Sequence, residues 1–297
     1  MNTAEIQALN DAHIINTYGA RKLAIARGEG ATIWDADGRE YLDCFAGIAV
    51  CNLGHCHPAV TAAIRHVPFK DIAALDSAVT PEVGAVLIEP IQGEGGVRMP
   101  ADGYLRAVRD LCDARGILLI FDEVQTGLGR TGPLFAHQDF GVQPDIMTLA
   151  KGLANGVPIG AMGCTDEVAQ GFSPGAHACT FGGNPLSCAA AIATLETLTS
   201  PGFLENAKAV GDSFIRQLKA LAAEHPQIVE VRGKGLMIGI EFKEPVAPLI
   251  ARMIESGVIC GPAGPNVLRF LPPLIITAEQ TERVVSVLSV CLGELGW

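Results

Sequence analysis

A mostly parallel α/β sheet followed by a smaller α+β domain is the fold class this sequence predicts, and three observations predict it. Between residues 84 and 164 the short apolar runs GAVLIEP, ILLIFDEV, IMTLAK and PIGAMGC each end in polar or glycine residues. The segment between the first two places Tyr104, Leu105, Val108, Leu111 and Cys112 at helical spacing, so strand and helix alternate as they do in a parallel sheet with crossover helices. From about Asn184 the pattern changes. A helix through Phe214, Leu218 and Leu221 precedes the strands VEVRG and LMIGIEF, and Thr277 with Gln280 fits the cap of a final amphipathic helix.

Earlier in the chain, ATIWDADGREYLD has two strand-like runs around the turn dipeptide Asp37-Gly38, which predicts a hairpin. CNLGHCHP follows and reads as a turn leading into a helix at Pro58. Its Cys51, His55, Cys56 and His57 superficially resemble metal ligands, but three consecutive side chains cannot converge on one ion from a regular element, so no metal is expected. The predicted organisation is an N-terminal segment with the hairpin joining the small domain (1–50), a large α/β domain (51–190) and a small α+β domain (191–297). No internal repeat or low-complexity tract interrupts it.

A chain of 297 residues, 49% of them hydrophobic, can fill both cores. Its net charge of -11 and the lack of any Lys/Arg cluster argue against a nucleic-acid surface. No apolar run is long enough to span a bilayer, and MNTAEIQALNDAH lacks the basic and apolar regions of a signal peptide, so a cytoplasmic protein is expected. Nine cysteines, scattered and mostly within apolar runs, suit reduced core residues better than a disulfide framework.

Glu89, Asp122 and Lys151 all fall at the carboxyl ends of the predicted strands, the edge where open α/β sheets bind ligands. A lysine held there in a partly dry pocket has its ammonium form disfavoured and can condense as a neutral amine with an aldehyde cofactor. Asp122 offers the carboxylate that keeps a pyridine nitrogen protonated. The pairing points to pyridoxal phosphate chemistry. Blander readings exist beside it. Lys151 could be a solvated surface residue, Glu89 and Glu94 could cap the turn at Gly93, Gly95 and Gly96, and Arg269 in LRFLPP could serve a structural ion pair in the small domain.

The segments GEGATIWDADGREYLDCFAGIAVCNLGHCHP, EPIQGEGGV, FDEVQTGLGRTG, PDIMTLAKGLANGVPIGA, TFGGNPLSCAAA and LRFLPPLIIT resemble, in family order, the class III pyridoxal-phosphate-dependent aminotransferases of fold type I. The likeness is strongest to the acetylornithine type. It implies that Lys151 is the lysine joined to the cofactor and the base that moves the substrate proton. By the same resemblance the DEVQ run Asp122, Glu123, Val124 and Gln125 contacts the cofactor, with Asp122 on the pyridinium, Val124 against the ring and Gln125 on the phenolic oxygen. Thr180 resembles the threonine that reaches the cofactor phosphate of a neighbouring subunit, which implies a homodimer. Arg269 resembles the substrate-carboxylate clamp and Glu94 the glutamate that pairs with it when a substrate without an α-carboxylate must fit. Cys179 stands at a substrate-side position where the family usually has a hydroxyl residue. The implied reaction is ping-pong, from an ω-amine donor such as N2-acetylornithine to 2-oxoglutarate, giving glutamate. Lys151 and Asp122 would serve a racemase or aminomutase equally well.

One part of the family pattern is missing. After GHCHPAVTAAI the family continues with a Ser-Gly-Ala-Glu-Ala phosphate turn at a helix start and an aromatic-His-Gly segment whose ring stacks on the cofactor, whereas here AAI runs straight into RHVPFKDIAALDSAVTPEVGAVLIEP. The backbone donors and dipole that would cradle the phosphate are lost with it, and a sheet without its first strands exposes an apolar edge. Three readings remain open: a compact aminotransferase with weak cofactor affinity, a non-catalytic remnant acting as a subunit or binding module, and a deletion product that folds poorly.

Overall fold

The computed structural model describes residues 2–5, 8, 24–44, 53, 55–56, 58, 63–173 and 179–297. They divide into two compact units, Met1–Val67 and Pro68–Trp297.

The first unit contains an antiparallel sheet of β1 (Ile25–Glu29), β2 (Thr32–Asp35) and β3 (Glu40–Leu42) in that spatial order. The β2–β3 hairpin is the one expected around Asp37 and Gly38, and Gly38 takes the left-handed φ of 82°. Asp35 ties it together by accepting from the Asp37 and Arg39 backbone N–H groups at 3.0 and 2.9 Å and from the Tyr41 hydroxyl at 2.7 Å. The Tyr41 bond is the largest influence holding the Asp35 carboxyl below its ordinary pKa. His55 forms a bridge with Gly30 and sets its ring 2.6 Å from the Asp43 carboxylate. Cys51 and His57 lie outside the described residues.

The second unit holds two four-stranded sheets. In the first, β4 (Ala85–Ile88) pairs in parallel with β5 (Leu118–Asp122), and β5 in parallel with β6 (Ile146–Leu149). After α1 (Ile72–Ala78), the crossover from β4 to β5 runs through α2 (Tyr104–Arg115). This helix buries Tyr104, Leu105, Val108 and Cys112 as the spacing predicts and ends on left-handed Gly116. Arg109 is buried beside them because Asp145 and Asp113 each take one of its nitrogens at 2.7 Å. A short α3 (Ala136–Phe140) precedes β6.

The last strand, β7 (Ala161–Cys164), corrects the sequence expectation that PIGAMGC extends the parallel pattern: it pairs antiparallel with β6, Ile146 opposite Cys164 and Leu149 opposite Ala161. The reason is the connection. Between Leu149 and Ala161 the chain forms only a single 3-10 turn, Lys151–Ala154, whereas a parallel return needs a crossover of a dozen or more residues. The helix α4 (Asp166–Ala169) follows β7.

Beyond it, Asn184 caps α5 (Pro185–Leu198) by accepting from the Ser187 N–H at 2.9 Å. Then α6 (Phe203–Glu224), β8 (Ile228–Lys234), β9 (Met237–Phe242), α7 (Ala247–Glu255), β10 (Gly261–Pro262), β11 (Val267–Phe270) and α8 (Ala278–Leu295) build an antiparallel sheet in the order β10-β11-β9-β8, packed with helices. Thr277 and Gln280 form the capping box of α8. Phe214, Leu218, Ile238, Ile240, Phe242, Leu249, Met253, Leu268 and Leu288 fill this core. Gly211 of α6 approaches the Gly235 backbone so closely that a Cβ would lie 2.5 Å from it.

Candidate active site

The parallel strands deliver the three sequence-predicted residues to one sheet edge. Glu89 follows β4 and accepts from the Gly93 N–H at 2.9 Å, so it braces the glycine turn. Asp122 ends β5 opposite Thr148 of β6. Its Oδ1 accepts from the Val124 N–H at 2.9 Å and the Thr148 hydroxyl at 3.3 Å, while Oδ2 has no partner among the described residues. Lys151 opens the turn just after β6 with a left-handed φ of 41°. That conformation is uncommon for a residue with a side chain and clusters at functional sites. The partly dry surround expected of Lys151 is not found: it is exposed, because the described residues leave this edge of the sheet open.

Glu123 has a different place from its neighbours in the DEVQ run. It is fully buried and accepts from the Ala136 and His137 N–H groups at 2.8 Å each and from the Thr126 hydroxyl at 2.9 Å. Three donors on a buried carboxylate fasten the DEVQ turn to the start of α3. Gln125, by contrast, is drawn into a charged pair. Arg269 of β11 donates from Nη1 and Nη2 to the two oxygens of Glu94 at 2.7 and 3.2 Å. Gln125 bridges them, donating to Glu94 at 3.0 Å and accepting from Arg269 at 3.3 Å. The Arg269 guanidinium, and after it Gln125, hold the Glu94 carboxyl below its ordinary value. The partner of Arg269 is therefore the turn after β4, rather than an acid of its own sheet.

Two features place that turn. A Cβ on Gly93 would lie 2.0 Å from the Gln125 side chain, so only glycine lets the amide in. On the other side Arg232 of β8, itself paired with Glu230 and Glu241, donates to the carbonyls of Gly96 and Val97 at 2.7–3.1 Å.

Glu94, Val124, Gln125 and Lys151 share a cleft of about 830 Å³, within the usual size of a small-molecule site. Its apolar walls include Leu128, Val157, Ala190, Leu198, Phe203 and Leu274. Asp122 and Arg269 stand behind this lining through Val124 and Glu94. Thr180 and Cys179 are exposed and do not line the cleft. Sequence reading missed Arg130, Asn155, Thr194 and Thr197, which do. A charged residue inside the run GLGRTG was the available signal for Arg130.

The model of the family described as aminotransferase class-III matches residues 15–70 and 66–292 of this chain. The two matched blocks overlap at 66–70, next to the point where the sequence passes from AAI to RHVPFKD and where the two compact units divide. Acetylornithine aminotransferase of Methanosarcina mazei is 36% identical over 372 residues, covering 93% of each chain. That alignment is longer than the whole of this chain, so the relative carries an internal stretch without a counterpart here. The acetylornithine aminotransferase of Caldanaerobacter subterraneus is 35% identical, covering 95% of this chain and 98% of its own. Among solved structures, Plasmodium falciparum ornithine δ-aminotransferase superposes with a TM-score of 0.75 at 28% identity, covering 99% of both chains.

Proposed function

The chain belongs to the class III aminotransferases, and from that membership we propose that it transfers the amino group of an ω-amine such as N2-acetylornithine to 2-oxoglutarate through pyridoxal phosphate, as a cytosolic homodimer. The observation that carries this reading is the delivery of Asp122 and Lys151 to one edge of neighbouring strands, beside a Glu94–Arg269 pair.

The residues fit the cofactor's ring. Asp122 keeps Oδ2 free for a pyridinium N–H while its Oδ1 is fixed by backbone and hydroxyl. Val124 lines the cleft beside it. Gln125 spends one amide N–H on Glu94 and retains another for a phenolic oxygen. Pyridoxal phosphate, when bound, supplies the electron sink for a carbon that loses its proton. Lys151, exposed and on a turn rather than in a strand, would be the residue that moves that proton. Asp122 would hold the charge that keeps the ring nitrogen protonated.

Glu94 and Arg269 account for two substrates in one site. Closed on each other, they present a neutral pair to a donor whose reacting end is an amine without a carboxylate. Opened, Arg269 offers a fork to an α-carboxylate. The dimer is supported by apolar side chains left in the open, including Leu186, Ile192 and Met162, and by Thr180, which lies away from the cleft of its own chain. The exposure of Lys151 supports the rival reading, a non-catalytic binding module on the same scaffold.

A spectroscopic half-reaction decides between them. With saturating pyridoxal phosphate, excess N2-acetylornithine should shift the visible absorbance of the bound cofactor to the near ultraviolet, and 2-oxoglutarate should restore it. A bound cofactor whose spectrum ignores the donor would leave only the binding module.

A further inference from the structure

We propose that Arg130 forms a carboxylate-binding subsite in the cleft, receiving the ligand side-on through Nε and Nη2. Its Nη1 is already committed, donating to the carbonyl oxygens of Leu236 at 3.1 Å and Pro272 at 2.6 Å. These two bonds use both Nη1 hydrogens and fix the plane of the guanidinium. The Nε–H and the two N–H groups of Nη2 have no acceptor among the described residues, although Arg130 is half-buried and lines the cleft. That free edge is the face with which an arginine binds a carboxylate through two parallel bonds.

The electrostatics agree. Arg98, Arg109, Arg232 and Arg269 each face a carboxylate, but Arg130 pairs with none among the described residues. Burial pulls its pKa down to about 10, with no acid opposing the shift. A half-buried cation with no carboxylate beside it is poorly compensated, and an anionic ligand on its free edge supplies the missing charge. The walls around it, among them Leu128, Leu198, Phe203 and Leu274, are carbon and suit a hydrocarbon chain behind the anion. One guanidinium matches the single charge and two oxygens of a carboxylate; a phosphate dianion would remain half-neutralised. Arg269 is closed on Glu94, which leaves Arg130 as the open fork of the cleft.

That this carboxylate belongs to a substrate rests on the transamination reading; that the cleft holds one does not. The probe is therefore glutarate, an unreactive dicarboxylate, titrated calorimetrically into the purified full chain without cofactor. Glutarate should bind, and Arg130→Lys should weaken it by roughly tenfold to a hundredfold, the value of a lost charge-assisted bond. Ala193→Leu narrows the cleft from α5, and should also weaken binding, which keeps the test alive if Arg130→Lys unfolds. No glutarate binding, binding by Arg130→Lys equal to that of the unaltered chain, or binding of inorganic phosphate in place of glutarate each overturns the subsite. None of these results bears on whether Lys151 reacts with cofactor, which is read separately by labelling.

Discussion

In the C-terminal sheet, β9 buries Met237, Ile238, Gly239, Ile240 and Phe242, while in the parallel sheet β7 leaves all of Ala161–Cys164 exposed. The difference is one of cover. The C-terminal sheet is packed with α6, α7 and α8 into one core. In the parallel sheet Val86, Leu119 and Phe121 are buried on one face, but Leu87 on the other face is 66% exposed. Parallel sheets ordinarily have both faces covered by their crossover helices. The family break at 66–70 lies just before this sheet, so the chain keeps its frame and the strand ends that carry Asp122 and Lys151 while one face lacks its covering layer. On the proposed function, stability and chemistry are thereby separated between the two sheets.

Substitutions can break that separation, and the largest effect belongs to the covered sheet. Phe214 is fully buried, with its ring 5.4 Å from that of Phe270. Phe214→Ala should cost about 3–5 kcal/mol in urea unfolding. Asp122→Asn inverts the pattern. Its effect on stability should be small, but with cofactor bound the transamination rate should fall roughly a thousandfold, about 4 kcal/mol of transition-state stabilisation. Equal rates in the two proteins would make Asp122 structural.

A further prediction concerns the missing cover directly. Loss of a phosphate turn removes charge-assisted hydrogen bonds worth about 1.5–3 kcal/mol each, so two of them make cofactor affinity lower than in a full-length relative by roughly a thousandfold. Protein isolated without added cofactor should be colourless, and its melting temperature should rise only at high cofactor concentration. A yellow, fully loaded protein as isolated would contradict this.

Much of the frame was legible in the sequence because it is written in periodicity. Tyr104, Leu105, Val108 and Cys112 mark α2, and Thr277 with Gln280 marks the start of α8. The direction of β7 was not legible, since alternation of apolar residues is the same in either sense and only the connection decides it. Arg109 was missed because its burial depends on Asp145, distant in sequence. At the site, the strand-end positions of Asp122 and Lys151 follow from strand ends in the sequence. The exposure of Lys151 and the bridging of Gln125 depend on what packs across the edge, which local pattern does not record. Glu123 reads like its neighbours in DEVQ, yet its carboxylate is used by α3.

Smaller effects sharpen the comparison. Met162 on β7 is 48% exposed, and Met162→Ala should change stability by no more than about 0.5 kcal/mol. The Glu94–Arg269 pair should contribute less still, because the Glu94 side chain is largely exposed. Its sign is fixed. Glu94 has a lowered folded pKa, so its contribution is present above the ordinary value of 4.5 and is lost as pH falls through the lower folded value. Glu94→Gln should remove that small acid-side dependence in pH-resolved unfolding, with little change near neutrality.

The central claim is that the uncovered sheet still carries a working lysine, and covalent trapping tests it most directly. Protein incubated with saturating pyridoxal phosphate, reduced with borohydride and digested should carry its label on the peptide containing Lys151, and Lys151→Ala should carry none there. Label on Lys70 or Lys208 instead, or no label at saturating cofactor, would contradict the account.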